Sequence, residues 1–452
     1  MKRSASLAAT RYIALGLLLQ ASSVVWAGQP SSKSPAAVLH VVTDRADAMY
    51  KCGEEAAFRV SLTRDGKPIQ GASGQATLTL DGGKRLGSFK LSLADGPFIC
   101  EGTLKEPGVL QCAVVCKVGE QTYRAYAAAA FEPLRIKATA VMPDDFDAFW
   151  EAGRKELADI PLDVRLTPLP DYSNPRQDSF KISFANVDHT RIYGFLSVPK
   201  KRPAPYPAYV TVSSAGLGKP RAPSGGYAAQ GILTLSMGVH DHDLLLPREE
   251  YAKLGQGRLK GYYRQGAPDR ERYYFRRAIL GIDRAVTWLA QRPDYDGKHM
   301  VYYGSSQGGG FGLILAGLNP HITAMAGNVP ALCDHGGYLV GRSPGWPRLA
   351  LTFDPPERAA CLKMSAYFDA VNFARRIRCP VLLSVGLIDR TCSPSSVYAA
   401  FNEIQTPKRI IHGPLTGHGT PPDFGPYLNR WRSGQLGRAP VIPPAHGEPT
   451  KE

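Results

Sequence analysis

The chain has 452 residues, a formal net charge of +15 and 44% hydrophobic residues. At about 100–200 residues per domain, that length argues against one compact domain and for two or three, each able to bury a core. The basic excess is scattered, without a run of five or six like charges or a nucleic-acid motif beside it, so it reads as solvated surface and no nucleic-acid partner is expected.

Residues 1–27 open with Lys2, Arg3 and Arg11, continue through an apolar run from Tyr12 to Val25 and close on Val25-Trp26-Ala27, an approximate small-x-small cleavage site. This is the pattern of a signal peptide, with an uncleaved anchor as the alternative. The body is therefore expected to be exported, secreted or periplasmic. No later run reaches the roughly 18 apolar residues of a membrane span, and no stable membrane anchor is expected. Residues 28–37 read as a linker.

Residues 38–135 break into short β-branched and aromatic segments, such as Val38 to Val42, Ala57 to Leu62 and Thr122 to Tyr126, separated by turn signals at Arg64-Asp65-Gly66 and Asp81-Gly82-Gly83. Such spacing predicts a small β-sandwich, with packing or spacing a commoner role for it than carbohydrate binding. Four cysteines, Cys52, Cys100, Cys112 and Cys116, lie in this part, and four, Cys333, Cys361, Cys379 and Cys392, lie further on. Even numbers suit an oxidising compartment, as disulfides or buried thiols, and the pairing is not readable. Cys112 and Cys116 lack a second Cys or His pair for zinc.

From Pro143 the pattern changes. Asp144 to Trp150 open a helix running to about Leu157, and residues 140–435 form the second domain. Strand-like segments follow at 180–184, 191–196 and 208–212, then at 299–303, 322–326 and 381–385, with helices at 271–290, 307–318 and 395–404 between the later ones. In the first of these helices Tyr274, Ala278, Ile282, Ala285 and Leu289 fall on one face. The alternation implies an α/β fold, a mostly parallel sheet with helices on both faces. Residues 436–452 are Pro-rich and expected to be disordered.

Chemistry concentrates in Tyr302-Tyr303-Gly304-Ser305-Ser306-Gln307-Gly308-Gly309-Gly310, a G-x-S-x-G element between an apolar strand and an apolar helix. A serine at a tight strand-to-helix turn needs small neighbours, which makes Ser306 the candidate nucleophile over Ser305. A serine hydroxyl needs a base oriented by a carboxylate, and this fold supplies them in the order Ser, acid, His. Asp389, in the turn after the strand Val381 to Val385, is the candidate acid; helix capping is the bland alternative. His418, between Gly417 and Gly419, is the candidate base, while His412 continues a strand and is expected to pack. The oxyanion donors are expected to be the amides of Gln307 and, within the loop Ser213 to Gly218, Ala215. His240-Asp241-His242-Asp243 alternates ligand types but has no distant partner set, so neither a metal nor a cofactor is expected.

With these residues in view, Pro143 to Trp431 resembles the acetyl xylan esterase and cephalosporin C deacetylase family, carbohydrate esterase family seven, within the α/β-hydrolases. The resemblance rests on Asp144 to Trp150, Tyr273-Tyr274 with Asp283-Arg284-Ala285, Gly304 to Gly310, and Gly386-Leu387-Ile388-Asp389 followed by Cys392-Ser393-Pro394. It places the family's nucleophile, acid and base on Ser306, Asp389 and His418, and implies a serine esterase acting on acetylated oligosaccharides or other small esters, assembled as a homo-oligomer. The chain departs from the family at Met237-Gly238-Val239-His240, where an Arg-Gly-Gln segment would stand, at His418-Gly419, and at Ser213-Ser214-Ala215 in place of His-Gly-Tyr. The expected function is removal of O-acetyl groups from xylan-type oligosaccharides. A peptidase or non-acetyl esterase, and a silent carbohydrate-binding protein on this scaffold, are the alternatives.

Overall fold

The computed structural model describes residues 37–69, 71–94, 96–200, 202–217 and 226–438. The expected signal peptide, nearly all of the linker, and the Pro-rich tail beyond Arg438 lie outside them. Among the described residues, no helix is long and apolar enough to cross a membrane.

The first part holds strands β1 (Val38–Thr43), β2 (Met49–Tyr50), β3 (Ala56–Arg64), β4 (Lys67–Pro68), β5 (Ser73–Leu80), β6 (Arg85–Ser92), β7 (Phe98–Gly102), β8 (Gly108–Val118) and β9 (Gln121–Phe131). They form two facing sheets, one of β1, β3, β4 and β7, the other in the order β2-β9-β8-β5-β6. Alternation sets the inner face: in β3, Ala56, Phe58, Val60 and Leu62 are buried while Arg59 is exposed. All eight cysteines are free thiols, seven of them buried, with Cys100 and Cys112 facing one another across the sandwich at 3.8 Å between sulfurs. Strands β8 and β9 break the alternation for a physical reason. Leu110, Cys112, Val114, Ala127 and Ala129 face the sandwich core, whereas Val109, Ala128 and Ala130 pack against Val385, Leu387, Val397 and Tyr398 of the second part. A strand covered on both faces loses its polar half.

The second part is a nine-stranded sheet made of β10 (Arg165–Pro168), β11 (Gln177–Ala185), β12 (Arg191–Pro199), β13 (Tyr206–Val212), β14 (Leu233–Met237), β15 (Tyr295–Ser305), β16 (Ala324–Asn328), β17 (Val381–Gly386) and β18 (Lys408–Gly413). Its order is β10-β11-β12-β14-β13-β15-β16-β17-β18. The first four are antiparallel neighbours; from β14 onward every pairing is parallel. The helices are α1 (Phe146–Ala158), α2 (Arg248–Gln256), α3 (Tyr274–Ala290), α4 (Gln307–Leu318), α5 (Pro355–Ser365), α6 (Ala370–Ala374), α7 (Pro394–Glu403) and α8 (Phe424–Gln435).

Both faces of the sheet are covered, as alternation along the strands requires. Val210 and Tyr302 join Phe275, Phe311 and Ile314 of α3 and α4, whereas Tyr209 and Val301, one position away, join Trp431 and Leu436 at α8. The expected stripe of α3 is buried, but Phe275, Ile279 and Val286 are buried too, because α1 and α4 both pack on it. Its polar residues are committed to that packing. Asp283 receives Arg154 of α1 at 2.9 and 3.0 Å, and Arg284 donates to the carbonyls of Leu157, Ile160 and Ala185, closing the end of α1.

Candidate active site

The parallel strands β13, β15, β17 and β18 end on one edge of the sheet, where loops after carboxyl ends gather ligand-binding groups. Ser306 occupies the single position between the end of β15 and the start of α4, with φ 55° and ψ −122°. L-residues avoid this backbone region, so its neighbours must hold it there. The Ser306 amide donates to the Asn328 carbonyl at 2.9 Å, and its carbonyl accepts from Gly310 at 3.0 Å and Ala331 at 2.9 Å. The flanking glycines are needed for close approach. A Cβ on Gly304 would lie 2.2 Å from the Gly308 carbonyl oxygen, and one on Gly308 would lie 2.4 Å from that of Val212.

Asp389 follows β17 and is buried. Its Oδ1 accepts the amides of Thr391 at 2.7 Å and Cys392 at 3.0 Å, which leaves Oδ2 to meet His418 Nδ1 at 2.8 Å. With a carboxylate accepting, Nδ1 carries the hydrogen and Nε2 is an acceptor, and Nε2 lies 2.9 Å from Ser306 Oγ. The structure thus brings together Ser306, Asp389 and His418, residues 83 and 29 positions apart in sequence. The glycines beside His418 are not what shape its loop: a Cβ on Gly419 would meet open space and one on Gly417 only an ordinary contact, 3.9 Å from the Ile388 carbonyl oxygen, and neither has a left-handed φ. The demanding glycine is Gly386, where a Cβ would meet the carbonyl oxygens of Gly417 and Thr416 at 2.3 and 2.4 Å. The acid and base loops lie on one another there, joined by Leu387 N–H to Gly413 O at 3.0 Å and Ile388 N–H to Thr416 O at 3.2 Å. His412 lies within β18 opposite Val385, and burial lowers its pKa.

Gln307 begins α4, and its amide has no hydrogen-bond partner among the described residues, as expected in a helix's first turn. The loop after β13 lies beside it: Ser214 Oγ donates to the Ser305 carbonyl at 3.0 Å. Ala215 is exposed in this loop, and its amide is likewise without a partner among the described residues. The segment is pinned one residue further on. Gly216 N–H donates to Tyr262 Oη at 3.3 Å, Tyr262 donates to Gln307 Oε1 at 2.6 Å, and Gly216 O is 3.1 Å from His240 Nε2. Tyr262 thus ties the residue after Ala215 to the Gln307 side chain.

The His240 to Asp243 segment is engaged internally. His240 Nδ1 is 2.6 Å from Tyr274 Oη, Asp241 pairs with Arg258 at 2.6 Å, and Asp243 pairs with Lys181. Burial lowers the His240 pKa to about 4, which keeps the ring neutral. Among the described residues, three groups of metal-ligand type converge within 4.8 Å at Asp389, Cys392 and His418. Both imidazole nitrogens there are already bonded within the protein, and burial pushes the Cys392 thiol well above its ordinary range, against the form that binds metals.

Sequence reasoning missed Tyr262, Asn328 and Cys392. Tyr262 stands 45 positions from Gln307 with no motif of its own, and Asn328, which also links Ser305, Thr420 and Ser384 by side-chain hydrogen bonds, stands at the end of an apolar strand. Only Cys392 carried a signal, through its place in the segment after Asp389.

The family model of acetyl xylan esterase (AXE1) matches residues 132–426. An acetyl esterase, Axe7A, of Xylanibacter ruminicola is 33% identical over 387 residues, covering 84% of this chain and 86% of its own. Two solved structures superpose with a TM-score of 0.58 over 67% of this chain and 98% of theirs: acetyl xylan esterase 1 from Thermoanaerobacterium sp., at 22% identity, and an acetyl xylan esterase from a Paenibacillus species, at 26%. The chain belongs to the acetyl xylan esterase family and is a serine esterase of the α/β-hydrolase fold.

Proposed function

We propose that Ser306, His418 and Asp389 remove O-acetyl groups from xylan-type or related oligosaccharides. The observation that carries this reading is the hydrogen-bonded chain from Ser306 Oγ through both nitrogens of His418 to Asp389 Oδ2. Ser306 Oγ attacks the ester carbonyl as its proton passes to His418 Nε2, and Asp389 stabilises the imidazolium that forms. The oxyanion takes hydrogen bonds from the amides of Gln307 and Ala215. Collapse expels the sugar hydroxyl, which takes the proton back from His418. Water, deprotonated by His418, then attacks the acyl-Ser306 ester, and acetate leaves as the serine is restored. The ester and one water are the only reactants needed besides the chain's own residues to balance the two halves.

The names of the relatives support the acetyl group, and the residue pattern at 1–27 supports export. Release of the free carboxylic acid would be compared between acetylated xylan, other acetylated sugars and esters of longer acids. Faster turnover of a longer acyl ester than of every acetylated sugar would reject the substrate class. Intact-mass measurement of the exported protein should place the mature N-terminus near Gly28; a soluble cytoplasmic product retaining Met1 would refute export.

A further inference from the structure

The sandwich does more than sit beside the esterase. Strand β8 has two kinds of buried residue: those facing its own core and those facing outward into the second part. Among the latter, Gln111 is polar and nearly inaccessible, and its Nε2 donates to the Leu387 carbonyl at 3.2 Å. Leu387 stands two residues before Asp389, and its N–H is held from the other side by Gly413 at 3.0 Å. Its backbone is therefore gripped at both polar groups, by β18 on one hand and by the sandwich on the other.

The far end of the same segment is gripped as well. Helix α7 starts at Pro394, and its N-cap residue Ser393 makes no capping hydrogen bond, since its hydroxyl donates instead to the Ser343 carbonyl at 2.6 Å. The cap comes from the sandwich. Asp81, in the β5–β6 turn with φ 51°, is buried and accepts the Ser395 amide on Oδ2 at 3.3 Å. That turn is fixed by Asp81 N–H to Val109 O at 2.7 Å and by Lys84 N–H to Gly341 O at 2.8 Å. Between the two grips, Arg390, next to Asp389, donates to Tyr126 of β9 at 2.8 Å. The apolar seam of Val109, Ala128 and Ala130 against Val385, Leu387 and Tyr398 is buried beside these links.

We propose that the N-terminal sandwich is a positioning element for the esterase reaction, with Gln111 and Asp81 holding segment 387–395 so that Asp389 is aimed at His418. This rests on the roles given above to Asp389 and His418. Asp389 is the third residue of a nine-residue segment whose two ends are tied across the domain contact, so loosening either end lets the carboxylate drift from Nδ1. A displacement of about 1 Å in a catalytic group costs up to roughly 10²-fold in rate.

Gln111→Leu removes one grip and Asp81→Ala the other. Each should lower kcat for p-nitrophenyl acetate by about 10- to 100-fold, with KM within about two-fold of wild type, measured where near-UV circular dichroism shows a native fold. Asp81→Asn keeps an acceptor for the Ser395 amide and suits a site where burial already pushes the carboxyl well above its usual range, so it should recover most of the lost kcat. The decisive measurement repeats Gln111→Leu and Asp81→Ala in an Asp389→Asn background. Residues acting through Asp389 should cost nothing further there, whereas independent effects multiply. Multiplying losses, or single variants with wild-type kcat, would overturn the inference. Wild-type turnover by Asp389→Asn alone would overturn it together with the acid assignment, and this control separates that failure from a failure confined to the sandwich.

Discussion

At the scale of single residues, the hydrogen-bonded chain makes unequal demands on the two histidines near the end of the sheet. His418 bonds both Ser306 and Asp389, whereas His412 lies within a strand and is directed by its pleat. Ser306→Ala and His418→Ala should each lower kcat by about four to six orders of magnitude with the fold retained. His412→Ala should cost about 1 kcal/mol of stability and leave kcat/KM near wild type. A serine-directed phosphonate should label Ser306, and labelling at Ser305 would contradict the assignment. His240 makes a pH prediction. Its pKa falls to about 4 in the fold against 6.5 for a free imidazole, so below pH 6.5 the unfolded chain binds a proton that the native one refuses. Stability therefore drops as pH falls from about 6.5 to 4, by about 3 kcal/mol from this group. Asp81 and Asp369, with raised pKa values, act in the opposite direction, so the comparison has to be differential. His240→Gln should flatten the loss between pH 7 and pH 4.5 in urea titrations; a slope equal to wild type would show that His240 does not titrate in that window.

At the scale of elements, the strand–turn–helix around Ser306 shows why a motif is legible. Its glycines answer to contacts with backbone that cannot move aside, so the sequence has to display them. A Cβ at Gly308 would sit 2.4 Å from the Val212 carbonyl oxygen. Gly308→Ala should therefore destabilise by about 1–3 kcal/mol and cost activity with it, as overpacking does, read by chemical denaturation. Gly419→Ala, with open space around the added carbon, should leave stability within about 0.5 kcal/mol. The glycines that first single out His418 are thus not the ones its loop needs. Gly386, far off in sequence, has that role, and nothing local announces it. Helix α3 is a second case: its periodic stripe is visible in sequence, but its burial on most sides depends on α1 and α4 arriving from elsewhere.

At the scale of the molecule, the sandwich and the esterase sheet share an apolar seam and buried polar links, which predicts that they unfold together. Among residues 38–435, tryptophan occurs only at Trp150, Trp288, Trp346 and Trp431, all in the second part, whereas β-structure is spread over both. Thermal transitions followed by tryptophan fluorescence and by far-UV circular dichroism should therefore coincide. A separate circular dichroism transition without a fluorescence change would mean that the sandwich melts alone.

The sequence by itself determined the alternation of strands with α1, α3, α4 and α7, the α/β class, the sandwich ahead of it, and the candidates Ser306, Asp389 and His418, but not α2, α5, α6 or α8. These rest on local rules: period of burial, small residues at a tight turn, and the chain order of a hydrolase. Only the tertiary structure decided which backbone groups hold the site. Tyr262 bridging Gly216 and Gln307, Asn328 receiving the Ser306 amide, and Gln111 with Asp81 grasping the segment around Asp389 join residues from tens to hundreds of positions apart. A buried polar group must find a partner, but which partner is fixed by the packing of distant elements and leaves no periodic trace along the chain.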